Sequence, residues 1–157
     1  MKRPSLHPQE EDRLKIIRSL DILDTKPEER FDKITRTATE ELKVPISTIT
    51  IIDKDREWFK SFKGINIKQS PRDISFCGHA LLASDIFIIE DTFKDLNFYD
   101  NPHVKAQHPI RFYAGINLYH KQTGLPVGVF CIKDYKARRL NYSELETFLE
   151  LAKEAQY

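Results

Sequence analysis

The sequence predicts an α+β domain built on a central antiparallel sheet, and three observations carry that reading. Two pairs of short β-rich runs, "ISTITIID" with "REWFKSF" and "RFYAGINLY" with "VGVFCIKD", are each joined by a brief polar turn. Amphipathic helical periodicity is concentrated at the two ends of the chain. Between the hairpins lie only a short helical stretch, one strand and a long loop, which leaves no room for the repeated crossover helices of a parallel sheet.

Taken in order, residues 8–20, "PQEEDRLKIIRSL", open with acidic residues and set Leu14, Ile17 and Leu20 three apart, an amphipathic helix with charge matched to its dipole. "DTKPEERFDKITRTATEEL" reads as a second helix from Asp24, with Pro27 near its first turn and Phe31, Ile34, Ala38 and Leu42 on one face. "ISTITIID" and "REWFKSF", separated by a "DKD" turn, form the first hairpin. "KGINIKQSPR" is a loop, "SFCGHALL" a short helix and "DIFIIED" a further strand. "TFKDLNFYDNPHVKAQHPI" is too long for an ordinary turn and reads as a lid or binding segment. In "RFYAGINLY", Phe112, Ala114, Ile116 and Leu118 alternate with Tyr113, Gly115, Asn117 and Tyr119; "HKQTGLP" then turns the chain into the last strand. "LNYSELETFLELAKEA" closes as a helix with Asn141 as N-cap and Leu145, Phe148, Leu149 and Ala152 on its apolar side. The helices at both ends are expected to cover one face of the sheet, and the "SFCGHALL" helix with the long loop the other.

Length and composition bound the function. The chain has 157 residues, one domain's worth, with 10 Phe and 6 Tyr to build a core. Lys+Arg 25 against Asp+Glu 24 leaves a net charge of +1, so no basic field points to nucleic acid. Two cysteines, Cys77 and Cys131, are too few for a disulfide framework. With no secretory h-region and no run of membrane-spanning length, the expectation is a cytoplasmic chain without membrane insertion.

The stretches "LDILDTKPEERFDKIT", "DREWFKS", "SFCGHA", Asn101-Pro102 with Val104, "RFYAG" and "GVFCIKD", in this order, resemble a GAF domain. The subclass is the one found at the N-terminus of bacterial signalling proteins such as histidine kinases of two-component systems and diguanylate cyclases. The resemblance makes residues 1–10 an N-terminal extension and 11–157 the domain. It implies a PAS-like sheet with a small-molecule pocket under the short helix and loop, homodimer contacts through the terminal helices, and an output signalling domain in cis or in trans. Since the chain stops at Tyr157 in the last helix, it is expected to be the sensor portion of a longer protein or to act through a partner.

Cys77 and His79 stand two apart, which on a helix turns them about 200° from each other, so they do not share a metal ion. At the start of a helix the dipole would lower the Cys77 thiol pKa, whereas a buried Cys77 beside Leu81 is simply a small apolar residue; the second reading is preferred. The resemblance includes an enzyme, free methionine-(R)-sulfoxide reductase, and "FCGHA" is similar to one of its cysteine segments. The segment that would carry the attacking cysteine, "HPIRFYAGIN", has none, and Cys131 reads as core. Bilin attachment, with a cysteine followed directly by histidine, does not match "CGH". Haem and metal are likewise disfavoured, and the identity of any small-molecule cofactor is left open. The candidate pocket lining is Trp58 or its neighbour Phe59, Phe76, His79, Asp91, Phe98, Asn101, Arg111 and Tyr113. Arg111 would select an anionic or carbonyl-bearing compound, unless it pairs with Asp91 or Asp95 and pins the loop. The expected function is a non-enzymatic sensory domain; the alternatives are a redox enzyme using Cys77 and a ligand-free dimerisation module.

Overall fold

The computed structural model describes residues 1–156, so Tyr157 of the expected 11–157 domain lies outside the described residues. The helices are α1 (Glu10–Leu20), α2 (Glu29–Leu42), α3 (Phe76–Ala80) and α4 (Tyr142–Ala155). The strands are β1 (Ile46–Ile52), β2 (Arg56–Lys63), β3 (Gln69–Pro71), β4 (Phe87–Ile89), β5 (Phe112–Tyr119) and β6 (Pro126–Asp134). They form one six-stranded sheet in the order β3-β2-β1-β6-β5-β4, with every neighbouring pair antiparallel. All five expected strands take part, as do both hairpins. The central pair, β1 and β6, is buried along its whole length because both faces of the sheet are covered.

On one face, Phe31, Ile34, Ala38 and Leu42 of α2 and Phe148, Leu151 and Ala152 of α4 pack on Ile49, Phe112, Phe130 and Ile132. Each fully buried Phe here stabilises by roughly 1.5–3 kcal/mol. Leu14 and Ile17 of α1 meet Ile51, Trp58 and Val127 farther along. Ile49 and Ile51 are two apart on β1 and so share a face, which puts the terminal helices together as expected. The opposite face carries Phe76, Cys77, Ala80, Leu81, Phe98, Val104, Tyr113, Val129 and Cys131, drawn from α3, the 92–110 loop and the sheet.

Two expectations need correcting, and one irregularity was not foreseen. The second helix starts at Glu29, not Asp24: Asp24 is left-handed at φ 60° and gives its carboxylate to Arg56 at 2.9 and 2.8 Å, while Glu28 is still extended. Residues 69–71, read as loop, pair with β2 as a short edge strand. A bulge in β2, where Ser61 pairs with Ile49 but Phe59 with Thr50, leaves Lys60 unpaired; Trp58 and Phe59, adjacent and in regular register before it, are both buried and alternate in face.

Two features tie the layers together. Residues 1–9 lie against α3 and the long loop: the Lys2 carbonyl sits 3.2 Å from His79 Nε2, and Pro4 packs so closely on Gly78 that a Cβ there would stand 2.9 Å from the ring. Arg138 joins three elements, donating to Asp134 at 2.9 Å, to Glu144 at 3.2 Å and to the α2 carbonyls of Leu42 and Lys43 at 3.2 Å. Asn141 and Glu144 complete a capping box at the start of α4.

Candidate functional site

The site is built outward from Ser75. Its hydroxyl caps α3 by accepting from the Gly78 amide at 3.0 Å and donates to the buried Glu57 carboxylate. Burial pushes the Glu57 carboxyl pKa up, opposed by the Lys133 ammonium and the Ser75 hydrogen bond. One turn into α3, Cys77 points into the core, where the Tyr113 hydroxyl donates to its sulfur at 3.1 Å. Beneath it, Thr48 Oγ1 lies 3.0 Å from Cys131 Sγ and 2.7 Å from Thr50 Oγ1. A polar patch of one carboxyl, one ammonium, two thiols, a phenol and three hydroxyls is thus sealed between α3 and the sheet.

Around it, the structure brings Phe76, Phe98 and Tyr113 together. The Phe76 ring lies 5.1 Å from Phe98 and 5.4 Å from Tyr113, and Phe87 closes on both. His79 meets Phe98 edge-on at 4.7 Å, and burial lowers its pKa. Asn101 fastens the loop to the start of α3, donating to the Ile74 carbonyl at 3.1 Å and accepting from the His103 amide at 2.9 Å. The volume assigned to a ligand holds these rings themselves, each no more than 2% exposed for Phe76, Phe98 and Tyr113.

The remaining candidates fall elsewhere. Trp58 is on the helical face against Leu14 and Ile17, so it cannot line the α3 side. Arg111 and Asp91 pair with each other, Nε to Oδ1 at 3.0 Å and Nη2 to Oδ2 at 2.9 Å, and the guanidinium stacks 3.9 Å from the Phe93 ring. The hydrogen bonds from Arg111 hold the Asp91 pKa down. This is the loop-pinning arrangement. Among the described residues no group of three or more His, Cys, Asp or Glu side chains is placed to hold a metal ion.

Sequence reasoning missed a charged clasp. Glu10 of α1 accepts from Arg13 at 2.9 and 3.1 Å and from Arg72 at 2.9 and 3.0 Å, with Arg13 fully buried. Arg72 sits in the turn that leads into α3, so one carboxylate joins the first helix to the α3 side of the sheet. The available signal was the Glu10–Arg13 spacing beside the apolar Leu14 and Ile17. Lys133 and Glu57 were missed as well, although strand alternation puts Lys133 on the face of Cys131 and Glu57 opposite Trp58.

An antiparallel sheet backed by terminal helices and roofed by a short helix and a long loop defines an α+β domain with both sheet faces covered. The chain belongs to the GAF domain family, whose profile matches residues 26–156. It is 36% identical over 138 residues to a cyclic di-GMP phosphodiesterase of Pseudomonas aeruginosa, a match covering 88% of this chain and 23% of that protein. The chain therefore spans about a quarter of that relative's length. Among solved structures, the GAF domain of an Acinetobacter phosphoenolpyruvate-protein phosphotransferase superposes with a TM-score of 0.64 at 14% identity, over 95% of this chain and 91% of that one. The free methionine-R-sulfoxide reductase of Neisseria meningitidis superposes with a TM-score of 0.62 at 15% identity, over 98% and 93%. At such identities these two likenesses show the fold alone.

Proposed function

We propose that this chain is a non-catalytic sensory module of a cyclic di-GMP signalling protein. Its α3 side receives the signal, and its terminal helices pass that signal to an output domain in cis or in trans. The observation that supports this reading is the Glu10 clasp. Because Arg72 leads into α3 and Arg13 belongs to α1, a ligand that displaces α3 or the loop above it also perturbs the first helix. A ligand acts this way only through different affinity for two such arrangements. The likeness to the Pseudomonas phosphodiesterase suggests the pathway. The segment "HPIRFYAGIN", which would carry the attacking cysteine of a free methionine-(R)-sulfoxide reductase, has none, which favours the non-catalytic reading. A homodimer is part of the proposal, through the outward face of α4, where Tyr142 and Leu149 are exposed.

The test grafts this chain in place of the matching segment of the Pseudomonas enzyme. Phe98→Leu, which loosens the roof with little loss of volume, is expected to change cyclic di-GMP hydrolysis severalfold. Hydrolysis unaltered in a folded graft overturns the reading.

A further inference from the structure

The two thiols, far apart in sequence, converge under α3. Tyr113 folds its hydroxyl over Gly115, so closely that a Cβ at Gly115 would collide with it, and Gly115 is the register neighbour of Cys131. From that position the hydroxyl reaches Cys77 Sγ at 3.1 Å. The Cys77 sulfur therefore stands over the same patch of sheet as Cys131. A second path agrees, running from Cys131 through Thr48 and Thr50 to Cys77 Sγ, the last step being 3.9 Å. Both cysteines are free and are buried in the same cluster between α3 and the sheet.

Lys133 completes the arrangement. It lies two residues beyond Cys131 on β6, is only 8% exposed, and has no carboxylate within ion-pair distance among the described residues. Burial pushes the Cys77 thiol pKa well up, which Lys133 only partly opposes, whereas at Cys131 the same charge helps to lower it. Burial alone would raise the Cys131 pKa, but the neighbouring Cys77 thiol, Lys133 and the Thr48 hydroxyl bring it below the ordinary thiol value.

We propose that Cys77 and Cys131 are a redox pair that closes to an intramolecular disulfide on exposure to a peroxide. The Cys131 thiolate attacks one peroxide oxygen; the O–O bond breaks, the sulfur becomes a sulfenic acid, and the departing oxygen takes a proton to leave as water or an alcohol. The Cys77 sulfur then attacks the Cys131 sulfur, forming S–S and breaking S–O, and the hydroxide leaves with the Cys77 proton as water. In sum, two thiols and one peroxide give one disulfide, one water and one further water or alcohol. A small dithiol reverses the step by exchange. Because the sulfurs are covered by Phe76 and Tyr113, oxidation proceeds through local opening of α3, which links the chemistry to the mobility of that roof. The proposal goes beyond the sensory reading and does not depend on it.

The experiment treats the purified chain with hydrogen peroxide, quenches in acid, unfolds it and alkylates with N-ethylmaleimide before intact-mass measurement. The expected result is loss of both alkylation sites, with the mass lowered by two hydrogens, and recovery of both sites after dithiothreitol. Digestion without reductant should yield a linked pair of peptides from residues 75–82 and 127–134. Cys77→Ser should stop at a sulfenic acid on Cys131 that dimedone captures. The peptide link in unsubstituted protein decides the matter if that variant does not fold. Two alkylatable thiols remaining after an exposure that fully oxidises free cysteine, or a link between two chains instead of within one, overturns the proposal.

Discussion

Replacing Glu10 with Gln tests the charged clasp while keeping the shape of the side chain. The carboxylate accepts four hydrogen bonds at 2.9–3.1 Å from two guanidinium groups, Arg13 at 0% exposed and Arg72 at 4%. In Glu10→Gln an amide donor faces a guanidinium, and two buried cations lose their neutralising charge. Breaking a buried pair this way costs about 3–5 kcal/mol, a large part of the roughly 5–15 kcal/mol that holds a domain folded. At about 2–4 °C per kcal/mol for a chain of this size, Tm falls by about 6–20 °C. The pH dependence has a definite sign. Burial alone would raise the Glu10 pKa, but the hydrogen bonds from Arg72 and Arg13 hold it at about 2, below its ordinary 4.5. The clasp is therefore at full strength above pH 4.5 and is lost as pH falls toward 2. Thermal melts followed by circular dichroism should show the gap between the two proteins narrowing across that interval. A Tm drop below about 2 °C at neutral pH, or a gap that acid does not narrow, refutes the assignment.

Gly115→Ala drives a methyl into the Tyr113 hydroxyl and should destabilise by about 1–3 kcal/mol in urea melts. The double variant with Tyr113→Phe should recover part of that loss; no recovery would mean the clash lies elsewhere. Arg111→Ala breaks a partly exposed pair and should cost only about 0.2–1 kcal/mol, plus about 0.5–1 kcal/mol for the Phe93 stack. A loss several times larger in the same melts would give Arg111 a role beyond pinning the loop. Sedimentation should show a dimer that Leu149→Glu converts to monomer, and a native chain that stays monomeric at high concentration rejects dimerisation through α4.

What the sequence made legible was the part governed by local periodicity. The alternation of Phe112, Ala114 and Leu118 located β5, and Asn141 marked the start of α4, because pleat and cap are properties of neighbouring residues. β3 was hidden because its three residues are strand only by pairing with β2. The start of α2 was misplaced because Asp24 answers to Arg56, a partner on another element. Phe76, Phe98 and Tyr113 meet where their positions in the roof and the sheet put them, whereas Trp58 faces the helices because the hairpin register sets it opposite Ile51. Arg13 and Arg72 looked like solvated charges, and only the folded chain brings both to Glu10. Arg111 and Asp91 were correctly foreseen as partners, in the alternative that gave them a structural task.

Arg138 has a mechanical consequence. One guanidinium grips the C-terminal end of α2, the N-terminal region of α4 and the end of β6, so it acts as a pivot for that pair of helices. At the far end of α4 the ties are Gln156 side-chain bonds to Tyr119 and Asn117 and an Arg30 bond to the Gln156 carbonyl. The two neutral bonds hold with about 0.5–1.5 kcal/mol each, and the one from the Arg30 guanidinium with about 1.5–3 kcal/mol. The 14 residues of α4 make a lever about 21 Å long. A tilt of about 5° at Arg138 would swing the far end by about 2 Å once those ties release, while hardly moving the sheet at the fulcrum.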